Sequence, residues 1–224
     1  MLFGNQNRMR RLKAPERRKQ LVEVATRLFA ERGFDATTTA AIAAAAGVSE
    51  PILYRHFKSK QDLFVAIVTE VTRTTQDHWR ELMAHVRDPA EAFRVICSEW
   101  PEHMRRCQRE YSVIHNAIVT SRDPEVVGVL KRHYAQMETF WTQILKEGQA
   151  SGLFQLTEDV RTTVWWILNA GIGYTLIHLQ LGPVEGYSVP RAINLTLKAL
   201  GVDEKRLSMP TTDAAADGQM PRPN

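Results

Sequence analysis

Between residues 37 and 57, two short helix-forming stretches meet at a single glycine, and no other feature limits the possible folds as strongly. Thr37-Thr38-Thr39 places hydroxyl groups, good acceptors for free backbone N–H groups, at the head of an alanine-rich run that ends at Ala46. Gly47 breaks that run. Ser49 can then cap a second stretch, with Pro51 in its first turn, through Ile52-Leu53-Tyr54-Arg55-His56-Phe57. The alanines keep the first helix thin enough to pack closely, and the glycine turn sets the second at a steep angle to it. The second helix is then free to enter a major groove about 12 Å wide. The pattern predicts a helix-turn-helix.

The flanks extend this reading. Pro15 suits a first helical turn, and Leu21, Val24, Ala25, Leu28 and Phe29 share one helical face. Gly33 ends that helix, with Phe34 placed to close a Schellman-type cap. After Lys58-Ser59-Lys60 a long amphipathic helix is expected from Gln61 to about Val86. Further helices are expected over 90–107, where Pro101 should bend or break the run, and over 109–121. Another starts at Asp123-Pro124 and stops at Gly148 and Gly152, and segments 158–182 and 189–200 complete the set. No alternating apolar–polar run marks a strand. The expected fold class is all-α, with about nine helices: an N-terminal three-helix helix-turn-helix domain plus a C-terminal helical bundle domain.

Charge divides the chain along the same line. Residues 1–60 carry 12 Lys/Arg against 5 Asp/Glu, a net of +7, whereas residues 61–224 carry 17 against 20, a net of −3. A basic first module prefers a polyanion. Two cysteines, Cys97 and Cys107, exclude a disulfide-dense scaffold and the repeated Cys pairs of a zinc ribbon. No Ser/His/Asp order, phosphate-binding glycine loop or dinucleotide fingerprint stands out, so no enzyme, cofactor or metal is expected. The start turns basic at Arg8 without an apolar stretch, so no export signal is expected. Thr162 to Val184 has no charged side chain, but it carries Asn169, His178, Gln180 and Pro183. A buried or self-associating helix suits it better than a membrane span, and the expected location is cytoplasmic.

The spacing of Phe34-Asp35-Ala36-Thr37-Thr38, Ile42-Ala43, Ala46-Gly47-Val48-Ser49, Leu53 to Lys60 and Leu63-Phe64 resembles the N-terminal domain of the TetR (tetracycline-repressor) family of transcriptional regulators. The resemblance spans roughly residues 17–65. It implies an all-α homodimer whose second and third helices bind double-stranded DNA at a palindromic operator, and a C-terminal domain that binds a small-molecule effector. On that reading residues 1–14 are a basic flexible arm and 15–60 the DNA-binding domain. Residues 61–202 bind effector and dimerise, and 203–224 form a disordered tail. Carried over by position, Thr38 looks like the cap of the second helix, beside Thr39, and Ser49 like the cap of the recognition helix. Tyr54 and His56 match the family's phosphate-contacting pair, and Lys60 its phosphate contact at the start of the fourth helix. Glu50, Pro51, Ile52 and Arg55 stand where side chains reach base edges: Arg55 for guanine, Glu50 for cytosine N4, Ile52 for a thymine methyl. The chain departs from the pattern at Ala40, where many members are basic, and at Ala41, where an acidic residue closes the capping box. Ile52 also replaces a common hydroxyl residue.

For the effector, Trp100, His103, Met104, Tyr111, His115, Trp141, Trp165, Asn169 and His178 are bulky or polar groups expected on inward faces. They would line a cavity for a small, largely apolar molecule. Gly171, Gly173 and Leu176, in an apolar helix, are expected at the dimer seam together with residues 189–200, giving a four-helix interface. The expected function is a ligand-responsive repressor. Its rivals are a sequence-tolerant DNA-coating protein and a helical membrane-associated protein.

Overall fold

The computed structural model describes residues 12–182 and 184–203. Most of the basic arm, with Arg8, Arg10 and Arg11, and the tail from residue 204 lie outside the described residues. Nine helices and no strand occur among the described residues: α1 Ala14–Arg32, α2 Thr39–Ala45, α3 Glu50–Tyr54, α4 Lys60–Met83, α5 Pro89–Arg106, α6 Gln108–Thr120, α7 Pro124–Ala150, α8 Val160–Leu181 and α9 Val189–Ala199. Short polar residues start several of them. Asp88, Asp123 and Asp159 accept from the first-turn amides of α5, α7 and α8. At α4, Ser59 Oγ accepts from Asp62 N–H while Asp62 reaches back to Lys58 N–H, at 3.1 and 2.8 Å. Among the described residues no helix is long and apolar enough to cross a membrane.

The chain forms two compact units. The first comprises residues up to His78 together with Glu102–Met137. Its core joins Leu21, Leu28 and Phe29 of α1 to Ile42, Leu53, Leu63 and Phe64, all essentially inaccessible to solvent. Phe34 packs between Phe29 and Phe64, with ring centroids 5.3 Å from each. The Schellman geometry expected at Gly33 appears instead at Gly47. There the Gly47 and Val48 amides bond back to Ala44 and Ala43 carbonyls, at 3.1 and 3.0 Å, with Gly47 at φ +66°. Gly33 keeps one bond, to Phe29 O, because its ψ of 161° turns the chain away before a second can form.

The second unit comprises Trp79–Pro101 and the chain from Glu138 onward. Its core is aromatic: Trp79 lies 4.5 Å from Phe140, 5.8 Å from Trp100 and 6.0 Å from Trp141, centroid to centroid. Neither Pro101 nor Gly148 breaks its helix. Pro101 sits inside α5, which loses one amide donor there but continues to Arg106. Gly148 is likewise interior to α7, which runs on to Ala150 before the turn at Gly152. The reason for the glycine is Phe154: a Cβ on Gly148 would stand 2.0 Å from that ring. Gly148→Ala is expected to cost about 1–3 kcal/mol through overpacking, read as a lower denaturation midpoint, with Phe154→Leu restoring part of it. An unchanged midpoint would show that the ring moves aside freely.

Candidate nucleic-acid interface

The helix-turn-helix is assembled from local bonds. Thr38 adopts extended backbone before α2, and its Oγ1 accepts from Ala41 N–H at 3.1 Å. Ala41 cannot return that bond, so the cap is one-sided. Ser49 takes the capping position of α3 through its backbone alone; its carbonyl accepts from Ile52 and Leu53, and its hydroxyl makes no capping bond. Leu53 is fully buried and Phe57 nearly so, which anchors α3 and leaves Pro51, Ile52, Tyr54 and Arg55 exposed on its other side.

The expected DNA-contacting side chains fall into three groups. Thr39, Glu50 and Tyr54 meet: Thr39 Oγ1 lies 2.8 Å from Glu50 Oε1 and 3.1 Å from Tyr54 Oη. His56 is half-buried and borders a groove with Pro15, Arg18 and Val65, and Arg18 stacks over Phe57 at 4.7 Å. Lys60 does more than the sequence indicated. Its Nζ donates to Phe34 O at 2.8 Å and Asp35 O at 3.3 Å and lies 4.3 Å above the Phe34 ring. The ammonium therefore closes the turn after α1, whatever else it contacts.

The nine expected effector-site residues divide between the units. His103, Met104, Tyr111 and His115 are buried in the first, where His103 Nε2 lies 2.8 Å from Thr75 Oγ1. Trp100, Trp141 and Trp165 belong to the second unit, where the Trp165 indole donates to Glu138 at 3.1 Å. His178, also there, stacks on Tyr174 at 4.0 Å. Asn169 is not inward: it is exposed, on the α8 stripe with Trp166, Gly173 and Leu176 rather than the face of Val164, Ile167 and Leu168. The same geometry separates the expected seam glycines. A Cβ on Gly171 would look toward Trp100 Nε1, 3.9 Å away, whereas one on Gly173 meets nothing within 4 Å.

Sequence reasoning missed His133, Thr72, Thr75 and His78. Thr72 donates to Val68 O at 2.6 Å, so His133 Nδ1–H donates to Thr72, at 2.7 Å. His78 stacks on His103 at 5.1 Å, and its Nε2 is buried with no hydrogen-bond partner among the described residues. Burial, reinforced by neighbouring His78 and Arg106, pulls the His103 pKa down to about 4. Burial, with His115 nearby, does the same for His133, also to about 4. Burial also raises Tyr134 to about 12. The readable signal was two threonines interrupting the apolar stripe of α4. Among the described residues no group of three or more His, Cys, Asp or Glu could hold a metal ion.

Residues 21–67 match the family profile described as bacterial regulatory proteins, tetR family. The chain is 39% identical over 129 residues to the transcriptional activator FasR of Mycolicibacterium smegmatis, covering 57% of this chain and 58% of that protein. It thus spans little more than half of that relative's length. The transcriptional repressor KstR2 of the same organism is 25% identical over 156 residues, 66% of this chain and 76% of KstR2. Among solved structures, a regulatory protein in the tetR family from Rhodococcus RHA1 superposes with a TM-score of 0.70 at 20% identity, over 84% of this chain and 98% of that one. The fatty acid degradation regulator FadR of Bacillus halodurans superposes at 0.69 and 18%, over 82% and 94%.

Proposed function

The chain belongs to the TetR family of bacterial regulatory proteins, and from that premise we propose that it is a cytoplasmic, non-enzymatic transcriptional regulator. In this reading it is a repressor that binds a palindromic operator as a homodimer and leaves it when a small, largely apolar effector binds. The observation that carries the reading is the helix-turn-helix itself: α2 capped by Thr38, a Gly47 turn, and α3 held by Leu53 with Ile52, Tyr54 and Arg55 outward. Thr38, His56 and Lys60 flank α3 as donors to phosphate, while Glu50, Ile52 and Arg55 face the bases. Selection from random duplexes tests it. A recurring palindrome with half-sites about one helical turn apart supports the repressor; tight binding without sequence preference favours a DNA-coating protein.

The dimer reading rests on large apolar side chains left exposed on α8 and α9 in the single chain. Trp166 is 47% exposed, Leu176 40%, Leu181 83% and Leu195 of α9 69%. Apolar patches of this kind mark association surfaces. Leu176→Glu is expected to yield monomers in sedimentation and to weaken operator binding at least about ten-fold, since each head loses the second half-site. A variant dimer of unchanged stability would move the seam elsewhere. For the effector, the neutral buried histidines of the first unit support a ligand with few charges. Its binding should release DNA by about 5–150-fold, the usual range of allosteric coupling.

A further inference from the structure

Thr39, Glu50 and Tyr54 form a hydrogen-bond relay with a fixed direction. From it we infer that Glu50 is a specificity-determining residue that accepts from an exocyclic amino group in the major groove, with Thr39 as its positioning residue. The inference rests on the DNA-binding reading above.

The direction follows from counting protons. An ionised carboxylate only accepts, so the single Thr39 hydroxyl proton points at Glu50 Oε1, 2.8 Å away. Thr39 then has only lone pairs to offer Tyr54, and in the 3.1 Å contact between them the tyrosine donates. Both hydroxyl protons run one way, from Tyr54 through Thr39 to Glu50. The relay joins the first residue of α2 to the first and last residues of α3.

Two consequences follow. The half-buried Glu50 carboxylate is held from another helix by a charge-assisted bond, which is stronger than a neutral one. Its second oxygen takes no part in the relay and can only accept. In the major groove the base donors are cytosine N4 and adenine N6, whereas guanine and the thymine O4 edge present acceptors that a carboxylate repels. An acceptor held rigid at the start of a recognition helix therefore selects cytosine or adenine and rejects the other two. The second consequence concerns Tyr54. In this relay the Tyr54 hydroxyl donates to Thr39 and so supports Glu50 from the far end of α3.

Duplex selection with the full chain tests this. The wild-type protein should select a palindrome with cytosine or adenine at one position of each half-site. Glu50→Ala should make that position degenerate, with about ten-fold or more loss of discrimination there and little change elsewhere. Glu50→Gln, which keeps the size but adds a donor, should admit guanine or thymine. Thr39→Val should blur the same position and Thr39→Ser restore it, a readout that a merely structural role for Thr39 would not move. An unchanged base profile for Glu50→Ala, or a uniform affinity loss for Thr39→Val, overturns the inference while leaving the DNA-binding reading intact. If the wild-type protein selects no recurring palindrome, that reading falls and the inference with it.

Discussion

Operator affinity is expected to fall about a thousandfold between 50 and 200 mM salt, the loss that follows when a dimer neutralises roughly six phosphates and releases their counterions. The charge division of the chain, net +7 over residues 1–60 and −3 over the rest, concentrates this effect in the first unit. Lys60 decides how the measurement is read. Its ammonium already bonds two backbone carbonyls at the end of α1, so Lys60→Ala removes a structural contact as well as any phosphate contact. The slope of log affinity against log salt separates the two roles. Loss of a phosphate contact lowers that slope by about one per head. A drop in thermal stability with the slope unchanged would make Lys60 a lock on the α1 turn and nothing more. Lys60→Met keeps the packing on Phe34, so any slope change it shows comes from charge alone.

Acid is expected to destabilise the first unit well before carboxylates protonate. Unfolded histidine titrates near pH 6.5, whereas His103 and His133 are held near 4 by burial. Between those values the unfolded chain binds more protons, so the stability they allow is intact above about pH 6.5 and lost as the pH falls toward 4. From pH 7 to pH 5 each is expected to cost about 2 kcal/mol, and His115, lowered by the same burial, adds to the loss. Asp123 and Asp159, whose pKa values hydrogen bonds lower, lose their contribution only below the ordinary carboxylate range and stay outside this window. Denaturant unfolding at the two pH values measures the difference. A His103→Gln/His133→Asn variant should flatten it; equal stability of the wild-type protein at pH 7 and pH 5 would contradict the burial assigned to these rings.

What the sequence disclosed was local chemistry. Thr38, the alanines, Gly47 and Ser49 act within a few residues of themselves, so α2, its turn and α3 were legible from spacing. Contacts across the fold were not. Lys60 meets Phe34 O across 26 residues and Thr39 meets Glu50 across 11, and neither pairing leaves a mark on the sequence. Thr72 and Thr75 were readable as oddities in an apolar stripe, but their partners His133 and His103 come from other helices. On α8 the difficulty has another source. From Thr162 onward it has no charged side chain, and a helix apolar on every side gives no periodic signal to divide core from surface. Asn169 was consequently expected on an inward face, and it stands exposed. Gly148 reads like a helix stop until Phe154 is known to lie against it.

The exposure of Trp166, Leu176 and Leu181 has a consequence for dosage. On the dimer reading, a chain without its partner leaves those side chains in water, so the paired state is populated by mass action and stability depends on protein concentration. Below the dimer dissociation constant, the species competent for two half-sites rises as the square of total protein, so halving expression would cut operator occupancy about four-fold. A gene under such control would respond to modest changes in the regulator's own synthesis, before any small molecule is present.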